Sequence, residues 1–176
     1  MNTYIALLRG INVSGQKKIR MAELREQLAE LPYENIRTYI QSGNIVFDSQ
    51  NENAAQLAQE IRNKIAGHYA FDVPTLIRTP EELREAAQNN PFAAEDLKRV
   101  YLTFLESVPA QAQIDVLAEV DYSPEQYVIQ GKSLYLFSPD GRGTSKLSNN
   151  LFEKKLKVNA TTRNWRTLNK LIEMAG

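Results

Sequence analysis

Three stretches of the chain combine residue types that could hold an anion. The first is Arg9-Gly10-Ile11-Asn12-Val13-Ser14-Gly15-Gln16-Lys17-Lys18, which follows the apolar run Tyr4-Ile5-Ala6-Leu7-Leu8 and precedes a helical pattern. At such a strand-to-helix junction, backbone N–H groups and the helix dipole favour negative charge. The Gly10 to Gly15 interval matches that of a P-loop, but Gln16-Lys17-Lys18 stands where that motif needs Lys followed by Ser or Thr, which argues against an NTPase. A dinucleotide fingerprint fails as well, because its three-glycine spacing is missing and a hairpin pattern follows instead of a parallel strand. Turn chemistry with solvated lysines is the structural alternative.

The second stretch is Pro139-Asp140-Gly141-Arg142-Gly143-Thr144-Ser145-Lys146. Two glycines permit a backbone nest, Arg142 and Lys146 supply charge, and Thr144 or Ser145 is expected to cap the following helix. The third is Thr161-Thr162-Arg163-Asn164-Trp165, where Asn164 suits a helix N-cap and Arg163 offers a fork for carboxylate or phosphate. Trp165 is expected to pack on the sheet or to present its face beside Arg163.

Other chemistry is scarce. The chain has no cysteine and one histidine, which excludes disulfides, thiolate nucleophiles, iron–sulfur clusters and any site needing two imidazoles. His68 follows Gly67 at a helix end and is expected to act as a C-terminal cation or solvated ring. Glu23, Glu26 and Glu30, and likewise Glu81, Glu82 and Glu85, read as solvated helix faces rather than acid–base pairs. Gln41-Ser42-Gly43-Asn44 reads as a turn. No catalytic residue, metal site or cofactor motif is legible.

Those stretches must be positioned by regular elements, and the hydrophobic pattern supplies them. The apolar run 4–8 reads as a buried strand. Met21, Leu24, Leu28 and Leu31 recur at helical spacing and Pro32 closes that segment. Residues 36–40 and 45–47 flank the turn at 41–44 as a hairpin. Ala54, Leu57, Ala58, Ile61 and Ile65 form a second amphipathic helix, and Val73 to Arg78 a further strand, with Pro74 favouring an edge or a strand start. The order is β-α-β-β-α-β. Thr79-Pro80-Glu81-Glu82 then reads as a capping box opening a connecting helix that runs toward Asn90-Pro91-Phe92.

The same order starts again at Val100 to Leu105. Pro109 opens a helical pattern through Ile114, Leu117 and Val120, and a hairpin follows from 127–129 to 134–137 about Gln130-Gly131-Lys132-Ser133. A helix over 145–156, a strand over 158–163 and a terminal helix with Leu168, Leu171, Ile172 and Ala175 complete the chain. The self-similarity predicts an α+β fold of duplicated ferredoxin-like units (βαββαβ, the alpha-beta plait) with antiparallel sheets, plus linking and C-terminal helices. The expected division is 1–79 for the first unit, 80–98 for the linking helix and loop, and 99–176 for the second unit. Each sheet would carry two helices on one face and need cover on the other.

A length of 176 residues fits two such units, and 43% hydrophobic with 24% charged residues is ordinary for a globular chain. Met1-Asn2-Thr3 lacks a basic leader, and the run 4–8 is too short for a signal peptide or a membrane span, so a cytoplasmic protein without membrane partners is expected. Lys plus Arg equals Asp plus Glu at 21 each, so any pull on an anion is local. The last third is locally basic at Lys154, Lys155, Lys157, Arg163 and Arg166. That keeps nucleic acid among the candidate partners, although Asn44-Ile45-Val46-Phe47 lacks the aromatic strand signature of an RRM. Nothing sets an oligomeric state.

Several blocks resemble one bacterial family in the same order along the whole chain. They are Leu7-Leu8-Arg9-Gly10-Ile11-Asn12-Val13, Lys18-Ile19-Arg20-Met21 with Leu24, Arg37 to Phe47, Asn90-Pro91-Phe92, Ser145-Lys146-Leu147, and Thr161-Thr162-Arg163-Asn164-Trp165 with Thr167. The chain is identified on them as a member of domain of unknown function 1697. The resemblance implies the duplicated ferredoxin-like fold and no established activity, cofactor or catalytic residue. Ser14 stands where the family loop usually carries glycine. The polar members of the blocks, Arg9, Asn12, Ser42, Asn44, Lys146, Thr162, Arg163 and Asn164, are expected to converge as a ligand-binding set. The expected function is binding of a small phosphorylated or carboxylated ligand in a groove between the repeats through Arg9, Lys146 and Arg163. The alternatives are a nucleic-acid-binding module using Lys17, Lys18, Arg142, Lys146 and Arg163 with Trp165 or Tyr39 stacking, and a structural or protein-interaction module without a ligand.

Overall fold

The computed structural model describes residues 1–176 and is α+β, with two four-stranded antiparallel sheets and six α-helices. The first sheet is built from β1 (Asn2–Leu8), β2 (Glu34–Tyr39), β3 (Asn44–Ser49) and β4 (Thr75–Arg78), with α1 (Met21–Leu28) and α2 (Ala54–Tyr69) between them. Its strand order is β2-β3-β1-β4. After α3 (Pro80–Gln88) and a 3-10 turn at Leu97–Arg99, the second sheet comprises β5 (Val100–Leu105), β6 (Gln126–Gln130), β7 (Ser133–Phe137) and β8 (Ala160–Asn164). Its order, β6-β7-β5-β8, repeats that of the first. The second sheet is interleaved with α4 (Gln111–Ala118) and α5 (Asn149–Leu156), and α6 (Trp165–Ala175) ends the chain.

Contacts divide the chain into one unit of Met1–Glu85 with Lys170–Gly176 and another of Ala86–Asn169. These boundaries differ from the expected 1–79, 80–98 and 99–176. The closing segment joins the first unit because Arg37 donates to the Met174 carbonyl at 2.6 Å and Arg84 to the Gly176 carbonyl at 2.9 Å.

Alternation along each strand decides which residues are buried with the helices. In the first unit, Tyr4, Ala6, Leu8, Ile45, Phe47 and Ile77 form one core with Leu24 and Leu28 of α1 and Leu57, Ile61 and Ile65 of α2. In the second, Leu105, Leu134, Leu136 and Ala160 pack with Leu117, Phe152 and Leu156. The opposite sheet faces are closed to solvent too, at Ile5, Leu7, Val46 and Leu76 in one unit and Leu102, Phe104 and Tyr135 in the other. No helix is long and apolar enough to cross a membrane.

Three helical expectations change. α1 stops at Leu28 and leaves Leu31 in the turn before Pro32. Val120 falls beyond α4 and is 49% exposed. α5 starts at Asn149, and its cap is Ser148, whose Oγ accepts from the Leu151 N–H at 3.1 Å, rather than Thr144 or Ser145.

Candidate functional site

In the first unit, the β1–α1 loop (9–20) and the β2–β3 turn (40–43) meet at one end of the sheet. Gly43 fixes their approach. The Leu8 N–H donates to its carbonyl at 2.9 Å, and a Cβ on Gly43 would lie 2.7 Å from Leu8 Cβ and 2.8 Å from Ile11 Cδ1. Asn12 ties the two segments together. Its Nδ2 donates to the Ile19 carbonyl at 3.0 Å and the Gln41 carbonyl at 2.7 Å, and its Oδ1 accepts from the Ile19 N–H at 2.9 Å. Beside it, fully buried Asn44 donates to the Tyr39 carbonyl and to Ser42 Oγ, both at 2.9 Å. Asn12, Ser42 and Asn44 thus frame the loops.

What they frame is a basic loop with an uncharged hairpin tip. Val13 and Gln16 form a β-bridge closed by Ser14 and Gly15, whose φ values of 52° and 72° suit a hairpin turn. Of the seven non-glycine residues with positive φ, Asn12, Ser14, Lys17 and Ile40 lie in these two segments. For β-branched Ile40, at φ 50°, that conformation is costly and is held by its surroundings. Loop 9–20 carries Arg9, Lys17, Lys18 and Arg20 and no carboxylate. Arg9 is half-buried at the loop base, Lys17 Nζ donates to the Asp72 carbonyl at 2.6 Å, and Lys18 and Arg20 are exposed.

The other candidate residues lie in the second unit. Asn164 caps α6, accepting from the Thr167 N–H at 2.8 Å. Thr162 Oγ1 lies 2.7 Å from Thr103 Oγ1 and donates to Asn149 Oδ1 at 3.1 Å. Arg163 is buried in β8 opposite Leu102, and its guanidinium donates to Thr161 Oγ1 at 2.6 Å and the Thr162 carbonyl at 3.1 Å. Burial pushes its pKa down to about 10. Trp165, which follows it at the start of α6, is buried as well. The side chain of Lys146 is exposed.

The loop 138–147, which contains the glycine-rich stretch 139–146, does hold an anion, and that anion is the chain's own Glu125. Its carboxylate accepts from Ser138 Oγ and Ser145 Oγ at 2.6 Å each, and from the N–H groups of Lys146 at 2.8 Å and Leu147 at 3.4 Å. Arg142 stands 3.9 Å away, over the Tyr101 ring. Burial raises the Glu125 pKa, but these donors outweigh it and leave the carboxyl below its ordinary range.

Sequence reasoning missed two of the polar groups that organise these regions. Glu125 had no local signal, because its partners follow it by 13 to 22 residues. Arg78 had one: Arg78-Thr79 ends β4 as Arg163-Asn164 ends β8, each arginine buried and each next residue capping a helix. Registers agree, with Arg78 opposite Ile5 and Arg163 opposite Leu102.

The candidate residues therefore form two groups: Arg9, Asn12, Ser42 and Asn44 in one unit, and Lys146, Thr162, Arg163 and Asn164 in the other. None lines the depression of about 440 Å³ in the first unit, whose walls include Thr3, Thr79, Glu81, Arg84 and Gly176. A family model described as a protein of unknown function, DUF1697, matches residues 1–135, which takes in the loop 9–20, the turn 40–43, α3 and most of the second sheet. The chain belongs to the DUF1697 family. Among solved structures, the conserved bacterial protein SP0830 from Streptococcus pneumoniae is similar at 29% identity with a TM-score of 0.79, over 99% of this chain and 98% of that one. No curated protein matches. In this DUF1697 protein, the Arg-Gly-Ile-Asn and Gln-Ser-Gly-Asn blocks are the two segments clasped by Asn12.

Proposed function

We propose that the protein binds a small phosphorylated or carboxylated ligand at the loop end of its first unit, with Arg9 as the main anion-binding side chain and Lys18 and Arg20 adding charge. The carrying observation is a contrast between two similar scaffolds. We read each unit as ferredoxin-like, in support of which stand the matching element orders and strand orders. The residues between the first strand and first helix then correspond: 9–20 in one unit and 106–110 in the other. The short connection, Glu106-Ser107-Val108-Pro109-Ala110, contains an acid and no cation, whereas 9–20 contains four cations and no acid. The other unit closes with the short form, so we assign the exposed cations of the longer loop to function, while its Ile11 and Ile19 join the core and Asn12 holds it in place.

Arginine suits the role because its planar fork pairs with two oxygens of one carboxylate or phosphate. Asn12, Ser42 and Asn44 act as the frame that holds the loop, since the Asn12 amide is committed to backbone groups. In the second unit, buried Arg163 and the Asn164 cap have structural work, and exposed Lys146 is not part of the loop-end set.

The test is a thermal-shift and calorimetric screen against inorganic phosphate, nucleotides, sugar phosphates and organic acids, on the wild type and on Arg9→Ala. Wild-type stabilisation that grows with ligand concentration, and that Arg9→Ala loses, is expected. A panel that shifts neither protein, or shifts both equally, overturns the reading.

A further inference from the structure

A sheet edge exposes a row of N–H and C=O groups ready to pair with another strand, and folded proteins usually block it. Of the four edge strands here, β4 is buried throughout and β8 is buried at Ala160, Thr161 and Arg163. β2 is exposed but broken. Its register against β3 shifts between Glu34 and Arg37, Asn35 sits at φ 52°, and the Arg37 guanidinium reaches over to the Asn35 and Met174 carbonyls. Bulge and charges together spoil it as a template.

β6 carries no such protection. Gln126-Tyr127-Val128-Ile129-Gln130 pairs with β7 at five successive positions without a shift, and contains no charge, proline or glycine. Gln126 and Gln130 are exposed and the three residues between them half-exposed. The two-residue turn Gly131-Lys132 makes Gln130 and Ser133 a hydrogen-bonded pair, so by alternation Tyr127 and Ile129 direct their N–H and C=O groups to the open side.

We propose that β6 is a self-association edge, pairing antiparallel with β6 of a second copy about a two-fold axis at Val128. The strand is symmetric in chemical type about that residue. Val128 meets Val128, each Gln126 meets the other copy's Gln130, and each Tyr127 meets Ile129, an aromatic and β-branched pair of the kind sheets favour. The register also agrees with the hydrogen-bonding parity. Tyr127 and Ile129 are the residues with outward backbone groups and are the ones brought opposite each other. A two-fold closes on itself, so the contact yields a dimer and not a fibre. With so short a strand, the interface falls below the size of stable complexes, and the dimer is weak and concentration-dependent.

The test is sedimentation equilibrium from about 10 μM to about 1 mM, the range in which weak association is read. The weight-average mass of the wild type is expected to climb from the 20.0 kDa of one chain toward twice that value. Gln126→Lys with Gln130→Lys brings like charges together at both glutamine pairs and weakens association about tenfold or more. Gln126→Lys with Gln130→Glu places opposite charges there and restores it. Both sites are exposed, so both variants fold, as a circular dichroism melt checks. A wild type that stays monomeric throughout, a double-lysine variant that associates as wild type does, or two charged variants weakened equally would each overturn the proposal.

Discussion

Gly43 and Gly131 occupy matching turns, and the difference between them isolates what one residue contributes. Both have positive φ, 85° and 59°, where any L side chain is strained. Only Gly43 has buried side-chain neighbours close enough for a Cβ to collide, at 2.7 Å from Leu8 Cβ, whereas nothing lies within 4 Å of the same position on Gly131. Gly43→Ala is therefore expected to cost about 2–4 kcal/mol, the sum of strain and overpacking. Gly131→Ala is expected to cost only about 1–2 kcal/mol, the strain alone. Urea unfolding of the two variants reads the difference, and equal losses would mean that the approach of Leu8 to the turn is soft. Asn12 works at the same scale: its amide bonds to both segments and ties the loop to the turn.

At the scale of elements, Glu125 does for the 138–147 loop what hydrophobic contact does for a helix. Glu125→Gln keeps the size but removes the charge and replaces one acceptor oxygen by a donor, leaving Ser138, Ser145 and two backbone N–H groups poorly matched. A loss of about 1–3 kcal/mol is expected, with faster amide exchange at Lys146 and Leu147 while β5 and β7 stay protected. Unchanged exchange at those two amides would show that the loop stands without the carboxylate. This contact also explains which elements were legible in the sequence. The Thr79 capping box and the Asn164 cap were readable because donor and acceptor are three residues apart. The start of α5 was not, because Ser145 is engaged by a carboxylate 20 residues earlier and the helix begins only after Ser148 takes over the cap. Strands 100–105 and 133–137 stood out through continuous apolar runs. In the candidate site, loop positions and residue types were visible, but the division into frame and exposed cations depends on the clasp from Asn12 to Gln41, 29 residues apart.

For the whole molecule, balanced charge hides an uneven commitment of the acidic groups, and that sets how stability responds to pH. Asp48 is held below the ordinary carboxylate range by a hydrogen bond from Asn35, with Thr3 and Arg37 assisting against burial, and Asp72 by its hydrogen bond to Arg62. Glu125 is lowered by the donors of its loop, which outweigh the effect of burial. These groups favour the folded state when ionised. Their contribution is present above the unfolded carboxylate value of about 4 and is lost as pH falls through the lower folded values. Tyr33 has the opposite sign. Burial, and then the hydrogen bond to Glu60, raise its pKa, as burial does for Tyr69 and Tyr127. A raised phenol stabilises the fold while protonated, so this contribution is lost as pH rises above the unfolded value of about 10. Urea midpoints are accordingly expected to be level through neutral pH and to fall on both sides. The two limbs have separate origins, which variants can separate: Glu125→Gln should shallow the acid limb and leave the alkaline one, and Tyr33→Phe should do the reverse. A midpoint that rises on acidification from about pH 5 to about pH 3 would mean that carboxylate repulsion in the folded state outweighs these hydrogen bonds.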